Sequence, residues 1–173
     1  AVQSFLERHE IAIHPAGAPP PCTDLAASPF PPQIREQLSR FSEPTAVQGA
    51  SWPLALAGRD VLAIAKTGSG KTLAFLLPAI VRCSSERHAH PSDLSPPAPF
   101  CLVMAPTREL VLQTTQQGQA FGGPLGVRTV AVYGKGCRGQ AGLVSNSDRV
   151  YVFSGTIAPN HSPEIWTHLR ALA

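Results

Sequence analysis

Residues 61–72, Val-Leu-Ala-Ile-Ala-Lys-Thr-Gly-Ser-Gly-Lys-Thr, decide how the rest of the chain is read. Val61 to Ala65 is a short apolar run of the kind that forms a fully buried strand. It leads into Lys66-Thr67-Gly68-Ser69-Gly70-Lys71-Thr72, and Leu73 to Leu77 reads as the opening of a helix. Strand, glycine loop, Lys-Thr and helix in that order make a phosphate-binding loop. Gly68 and Gly70 permit backbone conformations closed to other residues and a close approach to a ligand. The loop amides and the helix N-terminus then face a polyphosphate. Lys71 brings a point charge to the β- and γ-phosphates, and the Thr72 hydroxyl serves a magnesium ion. Ala65 stands where the general consensus has glycine, but strand, loop and helix in register outweigh a chance Gly/Ser turn.

The chain has 173 residues, enough for one domain or a domain with a tail. Hydrophobic residues make up 43%, sufficient for a core, while charged residues are only 14% and there are 18 prolines. A net charge of +3 is compatible with nucleic acid without being diagnostic of it. Cys22, Cys83, Cys101 and Cys137 form no CxxC pair, no zinc pattern and no dense disulfide framework. Reduced thiols are the expectation. No apolar run is long enough for a membrane span, and the first residues lack the apolar core of a signal peptide. The expected location is intracellular, in the nucleus, nucleolus or cytoplasm.

Outward from the loop, residues 1–32 are polar and then proline-rich, which reads as an extended flank laid over a domain rather than forming its core. Gln33 to Phe41 has helical spacing, with Ile34, Leu38 and Phe41 on one face. Thr45 is placed to cap a second helix from Ala46 to about Leu56. The helix after the loop is expected to end near Cys83, with a kink at Pro78. Residues 84–99 then read as a loop; its His88 and His90 lack the rest of a metal-ligand set and are read as solvated. Phe100 to Ala105 is a buried strand, Thr107 to about Ala120 a helix, Val127 to Tyr133 a third strand and Arg149 to Phe153 a fourth. Strands alternating with helices imply an α/β fold with a parallel sheet.

With these segments in order, the chain resembles the first RecA-like domain of a DEAD-box RNA helicase. Phe41-Ser42-Glu43-Pro44-Thr45-Ala46-Val47-Gln48 is similar to the family's Q motif. Ala65 to Thr72 is similar to its motif I, where the family itself begins with alanine. Ala105-Pro106-Thr107-Arg108-Glu109-Leu110 is similar to motif Ia, with Gln113 following. The upstream Arg8-His9-Glu10-Ile11 and Phe30-Pro31-Pro32 look like a subgroup linked to splicing and ribosome assembly. The resemblance covers about residues 5–140. It implies a RecA-like P-loop NTPase domain, incomplete at its C-terminal end, spanning 33–153, with 1–32 as a flank and 154–173 as a divergent tail. It implies ATP and Mg2+ as ligands and RNA as partner. ATP binding falls to Phe41, Gln48, Ala65, Lys66, Thr67, Gly68, Ser69, Gly70, Lys71 and Thr72, with Lys71 and Thr72 at the reacting phosphates and Thr72 on magnesium. RNA binding falls to Pro106, Thr107, Arg108 and Gly134. The residue chemistry agrees. A glutamine amide can pair with both N6 and N7 of adenine, and Thr107-Arg108 follow a strand and open a helix, where side chains and amides hold phosphates.

Departures from the family pattern bear on activity. Leu25 occupies the place of an aromatic that stacks on adenine, which predicts weaker nucleotide affinity. Lys135 replaces the second glycine of a Gly-Gly pair, and its Cβ crowds the backbone there. The sequence holds no Asp-Glu-Ala-Asp and no Ser-Ala-Thr, and Phe153-Ser154-Gly155-Thr156 stands where the family has Thr-Pro-Gly-Arg. In-line attack on a γ-phosphate needs a carboxylate for magnesium, a group that orients water and an arginine for the transition state. The expectation is a fragment of an ATP-dependent RNA helicase, lacking the acidic motif and the second domain, with unpaired sheet edges and poor solubility when made alone. The alternative is a non-catalytic ATP- or RNA-binding module, or an inactive truncated product. Another P-loop NTPase would leave Gln48 and the surroundings of Arg108 as coincidences.

Overall fold

In the computed structural model, residues 2–11, 17–89, 100–133 and 149–154 are described. The chain runs through helices α1 (Val2–Arg8), α2 (Pro32–Leu38), α3 (Ala46–Leu56) and α4 (Lys71–Ala89). Strand β1 (Cys101–Ala105), helix α5 (Arg108–Gly122) with a 3-10 turn (Gly123–Leu125), and strands β2 (Arg128–Val132) and β3 (Arg149–Ser154) follow.

Helix α4 carries the core. Leu73, Leu76, Leu77, Ile80 and Cys83 recur at helical spacing and are all buried. Against them lie Trp52 of α3 and Ile34 and Leu38 of α2. Trp52 is fully buried and its Nε1–H donates to the Leu73 carbonyl at 3.0 Å, so the indole keeps its polar atom paired inside the core. Helix α4 continues past the expected end at Cys83, and Ser84–Ala89, expected as loop, are its last turns. His90, the other half of the histidine pair, lies outside the described residues. Pro78 is buried inside α4. Its ring removes one backbone bond, at the Ala74 carbonyl, while burial of Leu76, Leu77, Ile80 and Cys83 on both sides holds the helix together.

The proline-rich flank departs from expectation. Leu25 and Phe30 belong to the core cluster, and the Phe30 ring meets Trp52 edge-to-face with centroids 4.9 Å apart. The Cys22 amide donates to the Gly49 carbonyl at 2.9 Å. A Cβ at Gly49 would stand 2.5 Å from the Cys22 carbonyl oxygen, so the flank lies directly on the α3 backbone. Prolines fix this segment as extended but do not stop its isolated apolar side chains from filling the gap between α2 and α3. Such single anchors have no period for a sequence reading to detect.

The sheet has the order β1-β3-β2, all parallel, with Cys101 opposite Val150, Ala105 opposite Ser154, Arg128 opposite Arg149 and Val132 opposite Phe153. The expected strand from Arg149 is therefore the middle one. Helix α5 crosses from β1 to β2 and packs on both β2 and β3. Its buried stripe is Val111, Thr114, Thr115, Gly118, Phe121 and Gly122. A Cβ at Gly118 would meet the Thr129 hydroxyl oxygen at 2.6 Å, so the stripe of small residues lets the helix sit close on β2.

Val61–Ala65 does not form the buried strand its composition predicts. The segment has no ladder partner among the described residues, and Leu62 and Ile64 are 93% and 95% exposed. The physical reason is pairing. A strand is held by hydrogen bonds to a neighbour, and β1, whose Met104 is also exposed, is separated from Val61–Ala63 by a cavity of about 730 Å³. Apolar content alone cannot supply that neighbour.

Candidate nucleotide-binding site

The phosphate loop sits where α3 and α4 converge. Gly68 and Gly70 have φ of +80° and +84°, the left-handed region that a Cβ disfavours, as the sequence requires. Gln48, on the first turn of α3, is 7% exposed. Its Oε1 accepts the Thr45 N–H at 3.1 Å, one arm of a capping box, and its Nε2 donates to the Gly70 carbonyl at 3.1 Å. A Cβ at Gly70 would come within 2.5 Å of that Nε2. Position 70 therefore needs glycine twice, for its backbone angle and for the approach of Gln48. Each of these bonds uses one donor or one lone pair, and a primary amide has a second of each to offer a ligand.

Lys71 opens α4, and its ammonium donates to the carbonyls of Ala65 and Lys66 at 2.5 and 2.6 Å. These two carbonyls hold the charge over the loop. Ser69 Oγ is buried and has no hydrogen-bond partner among the described residues. An orphaned hydroxyl, two left-handed glycines and a lysine bonded to its own loop fit an anion with its cation. Lys71, Thr72, Ala105 and Pro106 all line the cavity of about 730 Å³. Lys66 and Thr67 are exposed and do not line it.

A second cavity, of about 530 Å³, opens beside α2 and is bordered by Asp24, Leu25, Arg35, Phe41 and Ser42. Phe41 is 46% exposed, and the Arg40 guanidinium lies between its ring and that of Phe121, 5.5 and 5.4 Å from the two centroids. Leu25 borders this cavity from within the core rather than projecting into it as a free face.

The residues matched to RNA gather at the start of α5. The Thr107 Oγ1 accepts the Leu110 N–H at 3.3 Å and caps the helix, with Pro106 and Arg108 exposed beside it. The Arg108 guanidinium lies 4.5 Å from the Tyr133 ring centroid. Nothing in the sequence marks Tyr133 for this contact except its place one residue before Gly134. Gly134 and Lys135 lie outside the described residues. No cluster of metal-ligating side chains occurs among the described residues, and no helix there is long and apolar enough to cross a membrane.

A helix opening on Lys-Thr, a left-handed glycine loop in front of it and a parallel α/β sheet are the parts of a P-loop fold. The sequence model of the DEAD/DEAH box helicase family matches residues 45–165, and the chain belongs to this family. The match runs beyond Gln140, where the motif-by-motif resemblance stops. Relatives include DEAD-box ATP-dependent RNA helicase 20 of Oryza sativa subsp. japonica, 39% identical over 135 residues. ATP-dependent RNA helicase DBP2 of Mycosarcoma maydis is 42% identical over 135 residues. Each alignment covers 77% of this chain but 26% and 24% of the relative, so the chain spans about a quarter of their length. Among solved structures, the RNA helicase Prp28 from Chaetomium thermophilum bound to ADP matches with a TM-score of 0.72 and 32% identity, over 87% of this chain and 37% of that one.

Proposed function

We propose that this chain is the ATP-binding part of the first RecA-like domain of an ATP-dependent RNA helicase, and that by itself it binds nucleotide and RNA without turning ATP over. The reading gives residues 33–153 to the partial domain, 1–32 to a flank that adds core side chains, and 154–173 to a divergent tail, in an intracellular protein. The observation that carries it is the Gln48–Gly70 hydrogen bond. It ties the side chain suited to adenine to the loop suited to phosphate, so that one mononucleotide would engage both.

In this reading Lys71 exchanges its two loop carbonyls for phosphate oxygens, Ser69 and the loop amides donate to the same oxygens, and Thr72 holds magnesium. Magnesium, when bound, neutralises phosphate charge. The second donor and second lone pair of Gln48 read adenine, with Phe41 as apolar contact beside it. Pro106, Thr107, Arg108 and Gly134 hold the RNA backbone, which carries no sequence information. Hydrolysis belongs to the intact family member, because these 173 residues contain no Asp-Glu-Ala-Asp to hold magnesium and orient water.

The test is an ATP titration of the chain and of Lys71→Ala, paired with phosphate release in the presence of RNA. Saturable ATP binding that Lys71→Ala abolishes, without RNA-stimulated release, supports the reading. RNA-stimulated release that Lys71→Ala abolishes would make the chain a working hydrolase and overturn the non-catalytic half. No ATP binding by the unaltered chain would overturn the nucleotide-binding half.

A further inference from the structure

The start of α5 and the end of β2 come from separate parts of the sequence, yet they meet at one contact. The Arg108 guanidinium stands 4.5 Å from the centre of the Tyr133 ring, inside the range of a cation–π interaction. The two partners differ in freedom. Arg108 is exposed, whereas Tyr133 is half-buried and packed against the core cluster. The ring is thus the fixed platform and the arginine the guest. Thr107, one residue earlier, is held by its cap to the Leu110 amide, so the backbone that carries Arg108 is also fixed.

We infer that Tyr133 is a positioning residue for Arg108, holding its guanidinium over the ring so that its N–H donors are preset for an RNA phosphate. The two uses do not compete. A cation–π contact occupies the face of the guanidinium, while its five N–H donors point outward in the plane. A lysine has no such face and edge, so the arrangement selects arginine. An arginine already held loses less side-chain freedom when phosphate arrives. The inference rests on the proposal that Arg108 binds RNA, and the test separates the two.

The assay is fluorescence anisotropy of a labelled single-stranded oligouridine of about ten nucleotides, with the full chain, at several salt concentrations. Tyr133→Leu removes the ring but keeps an apolar side chain. It is expected to weaken binding roughly 3- to 10-fold, and Tyr133→Phe to stay within about 2-fold of wild type. Arg108→Lys keeps the charge and loses the face; it should behave like Tyr133→Leu and keeps the idea testable should that variant misfold. In an Arg108→Ala background, Tyr133→Leu should have no further effect, which a merely structural role for the tyrosine could not produce. Equal weakening in both backgrounds, or failure of Tyr133→Phe to rescue, overturns the positioning role and leaves the arginine's role standing. Unchanged RNA affinity in Arg108→Ala overturns the RNA reading of Arg108 itself, and the positioning role with it.

Discussion

Replacing Leu62 and Ile64 together by asparagine tests the least expected feature of the fold. As the middle of a buried strand, the two side chains would each contribute roughly 1.5–3 kcal/mol on full burial, and their loss would unfold a small domain. In the structure they are 93% and 95% exposed. The share of burial each has gained is then worth about 0.2 kcal/mol or less. The double variant should therefore cost under ~0.5 kcal/mol. Leu76→Ala, at a fully buried position on α4, should cost about 2–5 kcal/mol through lost transfer energy and the cavity it leaves. Urea unfolding followed by tryptophan fluorescence compares the two, because Trp52 is buried in the core that Leu76 shares. A cost for the double variant above ~2 kcal/mol, near that of Leu76→Ala, would mean that the segment is paired and buried, and would refute the open cleft. The same substitutions remove an exposed apolar pair beside an unpaired sheet edge, so sedimentation should show less self-association than wild type. Unchanged association would show that this segment is not the sticky surface.

Gln48→Glu keeps an oxygen for the Thr45 amide but turns the donor toward the Gly70 carbonyl into a carboxylate oxygen. It should cost about 1–3 kcal/mol of stability and abolish ATP binding, read by urea unfolding and nucleotide titration; wild-type affinity would remove Gln48 from the site. Gly118→Ala sets a methyl against the Thr129 side chain and should destabilise by about 1–3 kcal/mol, with Thr129→Ala recovering part of the loss in the double variant. Burial pushes the Cys22 thiol above its ordinary value, opposed by its hydrogen bond to the Asp24 carbonyl and assisted by the Asp24 charge. A hydrogen bond from Cys83 holds the Cys101 thiol below its own, against the opposing effect of burial. Iodoacetamide at mildly alkaline pH should thus label Cys101 before Cys22, measured by peptide mass spectrometry, and the reverse order would refute the assignment. The Cys22 shift also has a sign for stability. A raised folded-state value is worth its full amount below the unfolded thiol value and is lost as pH rises through the folded one. Cys22→Ser should therefore flatten the alkaline fall in the melting midpoint.

What the sequence by itself determined is the set of local instructions. Gly68 and Gly70 take the left-handed angles that their place in the loop demands. Thr45 and Thr107 mark the starts of α3 and α5, and the 3.6-residue period of α4 and α5 exposes their buried faces, because backbone sterics and periodicity act over a few residues. The tertiary structure decided what depends on a distant partner. Leu25 and Phe30 enter the core because a gap between α2 and α3 needs filling, not because their own segment has a pattern. Helix α4 runs on through Pro78 because the burial of Leu76, Leu77, Ile80 and Cys83 on either side outweighs one missing hydrogen bond. Tyr133 meets Arg108 only because β2 returns parallel to β1 across β3. Val61–Ala65 is apolar enough for a strand and yet has no partner among the described residues, since a strand is completed by hydrogen bonds from a neighbouring chain segment, and composition does not carry the neighbour with it.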